Sequence, residues 1–275
     1  MPDPDLSKQA EKEYQKEKRL DNSLFFMLEE KFQISDRILG AIPPFITPRF
    51  LMTAGFISAL LAGLSFYLTT FSKYWFIGSS IFLLIYLFCD RYDGRLARLR
   101  KIASQRGYYA DHMFDTLALL IIFFGLGLSP GLKLIIALAI VILYYIIAIN
   151  TFLMTYIKGV FNVTFFRLSP AEAILVLIIF CLASIFFPYP LVLFKTDLPF
   201  LEKVTLLDLA GMGALLVFLY ITVSTIIKNF IYVEQFEKEY QVETVREYLK
   251  KTSLVKKIGK VLDNLNNLNL TQKKK

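Results

Sequence analysis

The chain has few of the residues that metal-thiolate and disulfide frameworks need. It holds two cysteines, one histidine and one tryptophan in 275 residues. Cys89 and Cys181 both fall in apolar stretches, so they read as buried thiols and exclude a disulfide scaffold or a cysteine-based metal framework. Charge is missing over longer distances. Residues 50–72, 74–89, 116–132, 134–157, 173–194 and 209–227 contain no Asp, Glu, Lys or Arg. A helix needs about 20 apolar residues to cross a bilayer. Four of these windows are that long. The windows at 74–89 and 116–132 become long enough only if each helix continues into the charged stretch between them. The fold class read from this pattern is an all-α integral membrane protein with six transmembrane helices.

What charge there is lies mostly at alternate ends of these windows. All but Lys73, Lys133, Lys195 and Lys203 of the 31 Lys and Arg lie in 1–49, 90–115, 158–167 or from 228 onward. Basic loops stay on the cytoplasmic side, so with an even number of spans both termini are expected there. The net charge of +8 is then a signal of topology and lipid surface. Basic residues divided among helix ends do not make a nucleic-acid module. The first 40 residues are rich in charge and carry no apolar core, so no cleavable secretory signal is expected.

Three parts follow. Residues 1–44 are an amphipathic N-terminal segment, with Leu20, Leu24, Phe25, Leu28 and Phe32 at helical spacing ahead of Pro43 and Pro44. Residues 45–228 are the six-helix membrane domain. Residues 229–275 are an amphipathic, basic tail whose Lys250, Lys251, Lys256, Lys257 and Lys260 suit either anionic headgroups or solvent.

The charged stretch between the second and third windows carries the chemistry. Ionisable residues at membrane depth are costly and mark function by default. At 3.6 residues per turn Asp90, Asp93, Gly94 and Ala97 fall within an arc of about 100°. Asp111 and Asp115 are i,i+4 neighbours on the next helix. Two antiparallel helices would bring the four carboxylates together, and charges of one sign at that spacing call for cations among them. Oxygen ligands suit Mg²⁺, Mn²⁺ or Ca²⁺ rather than zinc. Gly94 and Ala97 would let a ligand approach the backbone, and Arg98 would clamp a phosphate. Arg91, Arg95, Arg100, Lys101 and Arg106 read mainly as positive-inside residues, with one or two left to meet phosphates.

The run Asp90-x2-Asp93-Gly94-x2-Ala97-Arg98-x8-Gly107-x3-Asp111-x3-Asp115 also resembles the signature of the CDP-alcohol phosphotransferases at every fixed position. Eight matches at fixed spacing arise by chance on the order of 10⁻¹⁰ per start position. The resemblance implies a transfer from a CDP-linked alcohol to an acceptor hydroxyl with release of CMP. It implies that Asp90, Asp93, Asp111 and Asp115 hold one or two Mg²⁺ or Mn²⁺ ions, with Asp115 also the general base. Gly94, Ala97, Arg98 and Gly107 would shape the CDP pocket. Donor and acceptor would include at least one lipid, and a homodimer is left open.

Lys158, Arg167 and His112 are candidate contacts to the acceptor or its phosphate, with His112 otherwise a polar neighbour at the rim. Pro170 and Glu172 resemble the Pro-Thr-Glu of choline and ethanolamine phosphotransferases. Together with the Asp111-His112 pair they tilt the donor toward a CDP-amino-alcohol, ahead of CDP-diacylglycerol. Two other readings compete: a Mg²⁺-dependent membrane prenyltransferase, and a transporter or channel. The first typically needs a second, separate Asp-rich motif, and the second leaves the spacing of small residues and carboxylates unexplained.

Overall fold

Five of the six charge-free windows fold as long helices. The computed structural model describes residues 18–20, 23–158, 160–162, 170–195 and 202–272. Its helices are α1 (Leu24–Lys31), α2 (Ile34–Ala41), α3 (Pro48–Leu68), α4 (Trp75–Leu99), α5 (Gln105–Gly127), α6 (Leu134–Lys158), α7 (Pro170–Ser184) and α8 (Leu206–Gln272). Four short strands accompany them. β1 (Lys18–Leu20) pairs in parallel with β2 (Val160–Asn162), and β3 (Val192–Lys195) pairs antiparallel with β4 (Lys203–Thr205). The helices α3, α4, α5 and α6 and the Leu206–Lys238 part of α8 are long and apolar enough to cross a membrane, while α7 is a shorter apolar helix of 15 residues. The chain is thus an all-α, multi-pass membrane protein.

The two short windows extend as their length requires. α4 runs from Trp75 through Asp90 and Asp93 to Leu99, and α5 starts at Gln105, ahead of Asp111 and Asp115. Between them Lys101 turns the chain with a left-handed φ of 57°. Ser104 then caps α5, its hydroxyl accepting from the Gly107 N–H at 3.2 Å. α3 is started in the same way: Thr47 accepts from the Phe50 N–H at 3.1 Å, and Pro48 takes a first-turn position where no N–H is needed.

Two expectations need correction. The window 173–194 is not helical from end to end. α7 ends at Ser184 and the chain turns, because Pro188 and Pro190 fix φ and donate no helical hydrogen bond; β3 follows. Nor is the N-terminal segment a single amphipathic helix. Leu20 lies in β1, and the helical part is split into α1 and α2 by Gln33 at φ 51°. Residues 1–17 and 273–275 lie outside the described residues.

Packing is set by small residues. α3 lies against both α4 and α5, α5 against α6, and α4 against α7. Phe66, Phe76, Leu83 and Ile122 are fully buried between them, while Ile57, Leu64, Ile77, Ile81 and Leu84 remain exposed. Helices apolar on all sides are stable where the outer face meets lipid instead of water. At the α3–α5 crossing a Cβ on Gly125 would stand 2.1 Å from the Gly63 carbonyl oxygen, and one on Gly63 would stand 2.7 Å from the Ile121 oxygen. Neither backbone can yield alone. Gly125→Ala is expected to cost about 1–3 kcal/mol by forcing the helices apart, read as a lower unfolding midpoint of the detergent-solubilised protein. An unchanged midpoint would contradict this crossing.

At the ends of α5 and α6 away from the aspartates, Asp208 is 0% exposed. It accepts from the Lys133 N–H at 2.9 Å, Lys133 Nζ at 2.8 Å and the Thr205 N–H at 3.0 Å. This buried acid is fully occupied as a structural staple. Met1–Val223 forms one compact unit and Ser224–Lys275 a second. Within the second, Lys238 pairs with Glu234 at 2.7 Å.

Candidate active site

The signature residues occupy the last turns of α4 and the first turns of α5. Asp93 is buried at 5% exposure, and Asp90, Asp111 and Asp115 are half-buried. The side chains meet as two carboxylate pairs: Asp93 lies in hydrogen-bonding contact with Asp111, and Asp115 with Asp90. The Asp93 carboxylate also accepts from the Gly94 N–H. A recess of about 220 Å³ opens here, lined by Gly55, Tyr86, Asp90, Asp93, Phe114 and Asp115 among others. Its back wall is the α3–α4 contact, where a Cβ on Gly55 would stand 2.9 Å from the Cys89 Cβ.

The four carboxylates fit a hard divalent cation by the chemistry of the donor set. Acidic oxygens of one sign, facing each other at the end of a bundle, need a proton or a cation between them. As placed, the carboxylates pair two by two. Among the described residues no three His, Cys, Asp or Glu side chains stand in a ready-made coordination arrangement. Turning carboxylates from one another toward a shared ion is a side-chain motion and leaves the helices where they are.

The remaining candidates divide. A Cβ on Gly94 would meet only the Arg98 guanidinium, at 3.5 Å, so the backbone there is open and Arg98 stands over it. Arg98 is exposed and Ala97 half-buried. Gly107 is exposed in the first turn of α5, one turn ahead of Asp111. His112 Nδ1 lies 3.4 Å from Asp111, and its ring packs on Tyr108 and Phe152, 4.1 and 5.4 Å between centroids. It therefore sits between α5 and α6 beside the carboxylates. Lys158 closes α6, Glu172 lies in the first turn of α7, and Arg167 lies outside the described residues.

Several residues matter here that the sequence reading passed over. Tyr86, buried, and Tyr144 stand close enough to Asp115 and Asp90 to interact with them electrostatically. Tyr86 had a signal, since it precedes Asp90 by one turn on the same face. Glu29 is the second omission. It is 3% exposed and accepts from Arg91 and Arg95, two of the arginines read as positive-inside residues. Burial would raise its carboxyl, but hydrogen bonds from Ser35, Arg91 and Tyr92 and the charge of Arg91 hold it below the ordinary value. Its signal was a carboxylate one turn after Phe25, on the apolar stripe of its own helix. Arg100 is also structural: it donates to the carbonyls of Ile46 at 2.5 Å and Pro43 at 3.0 Å and ties the start of α3 to the end of α4.

A larger recess, about 410 Å³, lies near Gly131, Tyr189 and Thr205, at the far ends of these helices. Its lining is largely apolar, and burial raises the Tyr189 hydroxyl, so it offers no acid, base or cation to a phosphate. Carboxylates of the signature line the smaller recess. No match is found among curated proteins. The family model for CDP-alcohol phosphatidyltransferase matches residues 45–201, more than half the chain, from the residues before α3 to beyond β3, with the whole Asp90–Asp115 run inside. The chain therefore belongs to the CDP-alcohol phosphatidyltransferase family, transferases of phosphate-containing groups that act in phospholipid synthesis.

Proposed function

We propose that the recess between α4 and α5 transfers a substituted phosphate from a CDP-linked alcohol to an acceptor hydroxyl, with CMP released, and that it does so with Mg²⁺ or Mn²⁺ held by Asp90, Asp93, Asp111 and Asp115. The observation that carries this reading is the meeting of four carboxylates in two pairs beside an open glycine and an exposed arginine. Bound divalent cations would neutralise the pyrophosphate and stabilise the departing CMP.

The chain's own residues supply the rest. The open backbone at Gly94 admits the donor's phosphates, and Arg98 over it pairs with their oxygens. Ala97, one turn beyond Asp93, keeps that face low for the cytidine. Asp115 takes the proton of the acceptor hydroxyl as its oxygen attacks the β-phosphorus. The oxygen–phosphorus bond forms as the bond from that phosphorus to the bridging oxygen of CMP breaks, and the proton on Asp115 returns to solvent.

A site at the ends of two spanning helices serves a reaction in which one substrate is a lipid and the other carries a water-soluble group. The asymmetry of Lys and Arg supports a cytoplasmic opening with both termini on that side. His112 beside Asp111, and Pro170 with Glu172 at the start of α7, favour a CDP-amino-alcohol donor and a diacylglycerol-like acceptor. Mass spectrometry of the purified protein with a panel of CDP-linked donors and alcohol acceptors tests this. The expected product is a phospholipid formed from a CDP-amino-alcohol. Product formed only from CDP-diacylglycerol and a small polar alcohol would reverse donor and acceptor.

A further inference from the structure

The larger recess, at the helix ends away from the aspartates, suits an apolar ligand. It opens outward at Ala183, Phe187 and Pro188, which are exposed. The three hydroxyls of its lining are bonded within the protein. Ser184 donates to the Phe180 carbonyl at 2.8 Å, Tyr189 bonds to Thr69 at 3.2 Å, and Thr205 donates to the Gly131 carbonyl. What remains to meet a ligand is hydrocarbon and ring surface. The volume of about 410 Å³ falls in the range of pockets that hold small organic groups.

The cations stand beyond that lining. Lys73, Lys133, Lys195 and Lys203 are the four basic residues outside the other basic segments, and contacts bring them to this recess and the adjoining hairpin. Lys73 Nζ donates to the Phe187 carbonyl at 3.1 Å, and Lys133 Nζ donates to the Lys203 carbonyl at 2.5 Å. Asp208 balances Lys133. Lys195 and Lys203 lie directly opposite each other in the β3–β4 pair, and like charges so placed are destabilising. Both are exposed, and neither side chain makes an ion pair or hydrogen bond among the described residues, although Glu202 precedes Lys203. Side chains alternate along a strand, so Lys203 and its opposite Lys195 share the face of Thr205, about 7 Å further along. Thr205 lines the recess.

We propose that this end of the bundle binds an anionic phospholipid, with an acyl chain in the recess and the phosphate on Lys195 and Lys203. A phospholipid joins hydrocarbon and phosphate in one molecule, and the protein sets an apolar recess beside an unbalanced lysine pair. Free phosphate would leave the recess empty, and a zwitterionic lipid would bring a cation of its own to the lysines. The site lies at the opposite helix ends from the carboxylate junction, and it does not depend on the metal reading.

Trp75, the chain's one tryptophan, reports on this end. It stands between Lys73, which holds the Phe187 carbonyl, and Phe76, whose ring meets that of Tyr189 edge-on at 4.8 Å. The test is quenching of Trp75 fluorescence in the full-length protein, in detergent, by phosphatidylglycerol or phosphatidylcholine with a dibrominated acyl chain. Phosphatidylglycerol is expected to half-quench at a mole fraction on the order of tenfold lower, the scale of two lysines at a lipid surface. Lys195→Gln with Lys203→Gln is expected to bring the two lipids within about twofold of each other. Lys195→Glu with Lys203→Glu is expected to put phosphatidylcholine ahead. Equal quenching by the two lipids in wild type overturns the proposal, and so does a preference that survives the double glutamine variant. Loss of the preference in millimolar inorganic phosphate would assign the lysines to free phosphate and overturn it as well. Ala183→Phe, which narrows the mouth of the recess, is expected to weaken phosphatidylglycerol quenching several-fold. Quenching of that variant like wild type would take the acyl chain out of the recess and overturn the site as stated.

Discussion

Asp115→Asn is expected to lower kcat for CMP release by about 10²- to 10⁴-fold, the usual contribution of a positioned general base. The substitution keeps size and shape and removes only the ability to take a proton and to carry charge. Asp115 contacts Asp90 across the α4–α5 junction and lines the recess, where the proposed cation and acceptor would meet. The helix around it does not depend on its charge: Phe114 stacks on Phe56 at 4.8 Å, and Tyr145 donates to the Thr116 carbonyl at 2.8 Å. Insertion and the unfolding midpoint should therefore stay near wild type while turnover collapses. An Asn variant that keeps more than a tenth of wild-type turnover would remove Asp115 as the base.

Chelation with EDTA is expected to bring CMP release to background, and added Mg²⁺ or Mn²⁺ to restore it. The reason is electrostatic. Four carboxylates without a cation present negative charge to a negatively charged pyrophosphate, and at partly buried positions that repulsion is weakly screened. Arg98 alone cannot offset it. Full activity in EDTA would mean that the carboxylates work by another route and would end the metal reading.

Much of the fold was legible because lipid relaxes the need for periodicity. A helix surrounded by lipid and protein carries apolar residues on every side, so absence of charge is its signature. The α4–α5 pair was legible for a second reason: two windows were too short and could be completed only through the aspartates. The grouping of the candidate site's aspartates was legible because spacings of three and four residues place side chains on one helical face. What escaped depends on partners distant in the chain. Glu29 meets Arg91 across 62 positions, and nothing local identifies it as the counter-charge of the signature helix. Gly63 and Gly125 look like scattered small residues until the helices cross. The error at 173–194 came from weighing charge alone, although Pro188 and Pro190 stand in the window.

Membership of the family sets aside the prenyl-transfer and transporter readings of the aspartates. It also leaves α1, α2 and all of α8 outside the matched stretch, and the Glu29 cluster shows that at least α1 contacts the signature helix directly.

The central claim is that this carboxylate junction transfers a phosphate-linked group to a hydroxyl acceptor instead of to water. Measuring CMP and phospholipid product together, from the purified protein with donor, acceptor and Mg²⁺, tests it most directly. The expected result is one CMP for each product molecule, with both lost when the acceptor is left out. CMP released at the same rate without acceptor, or no CMP from any CDP-linked donor by folded protein, would contradict it.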